Sequence, residues 1–231
     1  MNIKAVLFDL DGTLTRYNLD YHFAIVEIAD ELNKLHLGKF DTNARLTINA
    51  MLNILEVRIA EKEFTLLLPK IYKIMDKYEL EFAKHVEPLP NVRRTLRTLK
   101  DTGLRIAIVT NNGQVAAKAT ITRFNITSLI DILVTREDAS KVKPDGATVK
   151  EALDRLGLES DEVVFVGDSI IDVIAARNSD VVSVAIPSGP TSSKDLLESA
   201  PDYMIYSVSE LSSLIDMIQT NANPKDKKTG N

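Results

Sequence analysis

The stretch Val6–Arg16, VLFDLDGTLTR, ends an apolar run on two aspartates, Asp9 and Asp11, and follows them at once with Gly12 and Thr13. A short run of apolar residues bounded by turn formers reads as a buried strand, which places Asp9 at its carboxyl end. Gly12 then permits the chain to turn sharply away. Two carboxylates separated by a single residue repel each other. They require a cation between them, a proton on one, or water around both.

The same grammar recurs twice. RIAIV at 105–109 runs into Thr110 and Asn111, and VVFV at 163–166 runs into Gly167 and Asp168. Each run is short, rich in Val and Ile and free of polar interruption, as strands covered on both faces of a parallel sheet are. Further strands are expected at DILV (131–134), VVSVAI (181–186) and DYMIY (202–206). Helical spacing lies between them. From Asn91, Val92, Leu96 and Leu99 share a face that stops at Gly103; Val149, Leu153 and Leu156 share another that stops at Gly157. Ser207 followed three residues later by Glu210 predicts a capping box opening the last helix. Strand and helix in alternation predict an α/β fold, a doubly wound parallel sheet of Rossmann-like form. In such sheets ligands bind outside the carboxyl ends of the strands. Asp9, Asp11, Thr110, Asn111 and Asp168 are therefore expected at one edge.

Residues 17–88 do not follow this grammar. FAIVEIADELNKL (23–35), RLTINAMLNILEVRIAEKEF (45–64) and LLPKIYKIMDKYELEFAKH (67–85) all carry apolar residues at helical spacing, with Pro69 expected to kink or restart the last. The expected organisation is an α/β core of 1–16 and 89–220, a small all-helical cap of 17–88 inserted after the first strand, and a polar, frayed tail of 221–231.

Composition narrows the function. A net charge of -5 with no dominant Lys/Arg block argues against nucleic acid. No cysteine is present, which excludes disulfides, thiolate nucleophiles and cysteine zinc sites, and His22, His36 and His85 are too scattered to suggest a metal centre. No uncharged apolar run approaches the ~18 residues of a membrane span, and the N-terminal residues reach charge too early for a secretory leader. A cytoplasmic protein with no membrane or nucleic-acid partner is expected; the sequence leaves its oligomeric state open. An acidic chain that handles an anion needs a metal or a few well-placed cations.

DLDGTLT, VTNN, KVKPD and GDSIID occur in that order. Together they resemble the four signature motifs of the haloacid dehalogenase-like hydrolases, in the phosphatase branch that carries a helical cap after the first motif. The resemblance covers Ile3 to about Ile186, the cap agreeing in position and helicity only. It implies an Mg²⁺-dependent phosphatase acting on a small phosphorylated metabolite, phosphoglycolate or a sugar phosphate, through an aspartyl-phosphate. By the same resemblance Asp9 is nucleophile and metal ligand. Asp11 is the general acid–base and ligates metal through its backbone carbonyl, and Asp168 is a further side-chain ligand. Thr110, the Asn111 N–H and Lys143 bind phosphate, and Asp172 orients Lys143 or a metal-bound water. Such chemistry suits these residue types: attack by one anion on another requires charge neutralisation, and a carboxylate nucleophile splits one displacement into two. Lys141 competes with Lys143, which stands at the Lys-Pro the family uses.

Two departures from the family pattern stand out. Gly146 occupies the place of a second proline after Lys143, and Asn178-Ser179 replaces an Ala-Gly pair. GPTSSK, ending at Lys194, lacks the second glycine of a P-loop and reads as an ordinary loop. Arg16, Tyr17 and Arg45 are near enough to the first motif or in the cap to bear on substrate choice. Three rival readings follow from the same residues. One is a sugar-phosphate mutase of the same family. Another is a non-enzymatic phospho-accepting domain, whose acidic pair would precede the phosphorylated aspartate by a strand. The third is a silent binding module.

Overall fold

The computed structural model describes residues 1–17, 21–40 and 46–221; Arg45 and the tail past 221 lie outside the described residues. Six strands form one parallel sheet: β1 (Ala5–Phe8), β2 (Arg105–Val109), β3 (Ile132–Val134), β4 (Val163–Gly167), β5 (Val182–Ala185) and β6 (Tyr203–Met204), in the order β3-β2-β1-β4-β5-β6. All six predicted runs are strands. Phe8 pairs in register with Ile108 on one side and Val166 on the other, so the ends of β1, β2 and β4 lie level. The strand order reverses between β1 and β4, the switch point where doubly wound sheets leave a crevice.

The chain divides into two compact units, Met1–Asn18 with Lys84–Asn231, and Leu19–Ala83. In the first, helices α4 (Val92–Asp101), α5 (Gln114–Arg123), α6 (Ala147–Leu156), α7 (Ile170–Arg177), α8 (Ser193–Glu198) and α9 (Leu211–Asn221) flank the sheet. Ala5, Leu7, Ala107, Val109, Val163 and Phe165 pack with α6 and α7 residues Val149, Ala152, Ala175 and Ala176. Their alternates Val6, Phe8, Ile106, Ile108, Val164 and Val166 are also wholly buried, which is why no polar residue interrupts these runs. α4 ends in front of Gly103 (φ +86°), and α6 ends at Gly157 in the left-handed region, both as expected of C-terminal glycines. The segments entering and leaving the inserted unit pair as a short stem: Arg16 N–H donates to Glu87 O (2.8 Å), and Leu89 N–H to Leu14 O (2.9 Å).

The second unit holds α1 (His22–Lys34), α2 (Ile48–Arg58) and α3 (Glu61–Ala83) around Ile28, Leu32, Met51, Leu55, Leu67, Ile71 and Met75. Two details differ from the sequence reading, one here and one at the C-terminus. α3 does not restart at Pro69 but runs through it, and the break falls instead at Ile59, whose backbone is extended. Leu67, Ile71 and Met75 keep one buried face across the proline, and that packing outweighs the ~3 kcal/mol a helical proline costs. Glu61 and Glu63 in the first turn of α3 favour the dipole and were the overlooked start signal. The box at Ser207 is also not made. The chain takes a 3₁₀ turn over Val208–Glu210 before α9, so Ser207 Oγ accepts from Ser209 N–H (3.2 Å) and Glu210 accepts from Tyr206 N–H (3.0 Å).

Candidate active site at the carboxyl edge of the sheet

Each strand end hands one polar group to the edge. Asp9 follows β1, its N–H bonded to Val166 O of β4 (2.9 Å); Thr110 follows β2, its N–H bonded to Val134 O of β3 (3.0 Å). Continuing the ladder one residue past each strand fixes where these side chains leave the sheet. Asp168 follows β4 directly. Ser169 caps α7 with a reciprocal box, Asp172 Oδ2 accepting from Ser169 N–H (3.1 Å) and Oγ–H (2.5 Å), so the GDSIID turn fixes one carboxylate oxygen of Asp172 by local chemistry.

Lys143 ties these elements together. Its ammonium donates to Asp9 Oδ1 (2.5 Å), Asp172 Oδ1 (2.7 Å) and Val109 O (3.1 Å), and its side chain is 1% exposed, whereas Lys141 is exposed. Lys143 precedes a cis peptide to Pro144. The Asn111 side chain clamps its backbone, donating to Lys143 O and accepting from Lys143 N–H, both at 3.0 Å. Asn111 thus reaches the lysine loop with its side chain, a contact the sequence did not suggest. Thr110 is buried and its Oγ1 accepts from Asn112 N–H (3.1 Å). Asp11 is half-buried. Its Oδ2 accepts from Asn112 Nδ2 (2.5 Å) and its Oδ1 from Thr15 Oγ1 (3.3 Å), which joins the first motif to the second. The structure therefore brings Asp9, Asp168, Asp172 and Lys143 into one buried cluster; Asn111 is hydrogen-bonded to Lys143, and Asp11 and Thr110 are each hydrogen-bonded to the neighbouring Asn112.

Several contributors escaped the sequence reading. Asn112 sits in an already recognised motif but reads as a spare turn residue. Arg136, 2% exposed at the end of β3, donates from Nη1 to Asn111 O (3.1 Å) and from its N–H to Asn112 O (3.3 Å), bracing the loop from below. Gly167 is required because a Cβ there would stand 2.3 Å from Asp172 Cβ.

The electrostatics ask for a cation. Oxygens of Asp9, Asp168 and Asp172 lie within 4.8 Å of one another, and all three residues are buried. Burial, together with the charges of Asp172 and Asp11 and against that of Lys143, raises Asp9 to about 7. Burial and the charges of Asp9 and Asp172 raise Asp168 to about 9. Burial alone would lower Lys143, but the carboxylates of Asp172 and Asp9 outweigh it and hold the ammonium charged. One lysine does not balance the acids around it. A hard divalent cation among oxygen ligands fits this donor set, and Asp9 with Asp168 is the side-chain pair free of the Ser169 box that engages Asp172. Arg16 and Tyr17 are exposed beside the stem. Among the described residues no helix is long and apolar enough to cross a membrane.

Known proteins resemble this chain over nearly its full length. A PpaX protein of Caldanaerobacter subterraneus subsp. tengcongensis is 31% identical over 218 residues, covering 93% of this chain and 96% of its own. The phosphoglycolate phosphatase of Colwellia psychrerythraea is 26% identical over 90% of this chain and 95% of its own. Among solved structures, a hydrolase from Pseudomonas syringae superposes with a TM-score of 0.67 at 25% identity, covering 93% of this chain and 99% of that one. The family description of the haloacid dehalogenase-like hydrolases matches residues 6–186, a span that contains every residue of the cluster, and the chain belongs to that family.

Proposed function

We propose that this hydrolase is an Mg²⁺-dependent phosphatase that cleaves small phosphate esters through an aspartyl-phosphate on Asp9. The observation that carries the reading is the buried meeting of Asp9, Asp168 and Lys143 at the switch point, with Asp11 tethered to the Thr110–Asn112 loop. Asp9 and Asp168 would hold the cation, joined by the backbone carbonyl of Asp11 as the family resemblance implies. Bound Mg²⁺ would supply charge neutralisation for a dianionic phosphoryl group.

Every other part of the chemistry falls to side chains. An oxygen of Asp9 forms a bond to phosphorus as the bond to the ester oxygen breaks, and Asp11 gives its proton to that departing oxygen. Water then attacks the aspartyl-phosphate, Asp11 takes the water's proton, and inorganic phosphate leaves with Asp9 restored. Lys143 acts as a point charge on the transferring group, handed from Asp9 toward phosphate oxygens while Asp172 holds its other side. Thr110 Oγ1 donates to the phosphoryl oxygens. The helical unit 19–83 contributes selection of the leaving group.

The PpaX proteins of Halalkalibacterium halodurans and Bacillus cereus are named pyrophosphatases, and the Colwellia relative a phosphoglycolate phosphatase. Both names describe a phosphoryl group on a small anionic leaving group, and pyrophosphate joins the substrates the sequence had suggested. Leaving-group chemistry separates them. An alkoxide needs Asp11's proton far more than inorganic phosphate or p-nitrophenolate does. The test is phosphate release from p-nitrophenyl phosphate, pyrophosphate and phosphoglycolate. Wild type should need Mg²⁺ and lose activity in EDTA, and acid-quenched turnover should yield a peptide phosphorylated at Asp9. Asp9→Asn should be inactive. Asp11→Asn should lose about 10²–10⁴-fold on an alkyl ester and less on p-nitrophenyl phosphate. Activity that survives Asp9→Asn, or a phosphopeptide elsewhere, would remove Asp9 as the nucleophile.

A further inference from the structure

We propose that the loop after β5, residues 187–190, is a built part of the cation site, with Ser188 and Gly189 acting as positioning residues for Asp168 and for the turn that follows Asp11. The inference rests on the cation reading above. A Cβ placed on Gly189 would lie 1.6 Å from Asp168 Oδ2, a covalent distance at which no side chain fits. Gly189 is not in the left-handed region, so its backbone would accept any L-residue; the bare Cα is demanded by the carboxylate and not by the turn. Gly12 stands against the same oxygen, and a Cβ there would lie 2.4 Å from it. Asp168 Oδ2 therefore occupies a slot walled by two glycine backbones from distant parts of the chain.

The two walls are fastened to each other. Ser188 Oγ donates to Gly12 O (2.5 Å), and Gly12 N–H donates to Thr15 Oγ1 (3.2 Å), which holds the two peptide units on either side of the Gly12 Cα, the first of them carrying the Asp11 carbonyl. Thr13 Oγ1 holds the remaining carboxylate oxygen, Asp168 Oδ1, at 3.0 Å. Groups that orient a metal ligand are worth about 10–100-fold in affinity when removed. A loop that reads as ordinary in sequence thus walls a ligand carboxylate and braces the turn that follows the Asp11 carbonyl.

Mn²⁺ binding followed by electron paramagnetic resonance tests this without turnover, alongside the unfolding temperature of the metal-free protein. Wild type is expected to bind Mn²⁺ and Asp168→Asn to lose it. Gly189→Ala should bind at least about tenfold more weakly, Ser188→Ala several-fold more weakly and Ser188→Thr close to wild type. The Ser188 pair decides the matter if Gly189→Ala does not fold. A role in stability alone would lower the unfolding temperature and leave Mn²⁺ affinity intact, and that result would overturn the proposal. So would Gly189→Ala and Ser188→Ala both binding within twofold of wild type. Wild type that fails to bind Mn²⁺ would instead remove the cation reading itself, and the loop proposal with it.

Discussion

At the scale of single residues, the site is a set of acids held together against their mutual repulsion. Asp168 illustrates the cost. Its folded-state value of about 9 lies above the ordinary 3.8, so the native state binds more protons than the unfolded chain and stability falls as pH rises between those values. Asp168→Asn removes the buried charge and keeps an acceptor for Thr13. The metal-free variant should therefore match wild type near pH 4 and melt higher by at least a few °C toward pH 9, the shift about 1 kcal/mol produces in a chain of this size. Wild type that melts as high as the variant at high pH would show the carboxylate is not strained there. Lys143 has the opposite sign. Lys143→Met strands Asp9 and Asp172, both buried, without their ammonium. Urea unfolding should show a loss of about 3–5 kcal/mol, and turnover should drop by at least about 10²-fold.

At the scale of elements, the strands were legible because strands covered on both faces must be apolar throughout, as Ala5–Phe8 is. The helix breaks were less so. Ile59 carries no breaking residue and Pro69 does, yet the chain breaks at the first and not the second, because a stripe of packed side chains overrides local propensity. The two departures from the family pattern turn out to meet. Ser179 Oγ donates to Gly146 O (3.2 Å) and Asn178 Nδ2 to Pro144 O (3.0 Å), so the end of α7 braces the loop that carries Lys143. A Cβ on Gly146 would stand 2.6 Å from Ser179 Oγ and 2.9 Å from Asn178 O. Gly146→Ala should destabilise by about 1–3 kcal/mol in equilibrium unfolding, and Gly146→Ala combined with Ser179→Gly should recover part of it, since the nearer clash is with that side chain. Equal losses in the single and double variants would mean that the two positions are not coupled.

At the scale of the whole molecule, a unit whose described elements are helices interrupts an α/β unit at a stem whose two segments hydrogen-bond each other. Replacing residues between Arg16 and Glu87 with a short Gly-Ser linker should leave the sheet unit folded by circular dichroism, since its sheet and core residues come from the remainder. If the helical unit selects the leaving group, the shortened protein should bind Mn²⁺ as wild type does and lose its preference among phosphate esters, while p-nitrophenyl phosphate is still cleaved. An unchanged preference would assign selection to the sheet unit.

The sequence by itself determined the strands, the helical insertion and the edge at which polar residues gather, because periodicity and turn chemistry are local properties that each residue carries with it. Only the tertiary structure decided which of those residues touch. Lys143 on Asp9 and Asp172, the Asn111 clamp, Asn112 on Asp11 and the Gly189 wall beside Asp168 all join segments remote in sequence. Such contacts arise from the alignment of strand ends in the sheet, and no spacing along one chain records them.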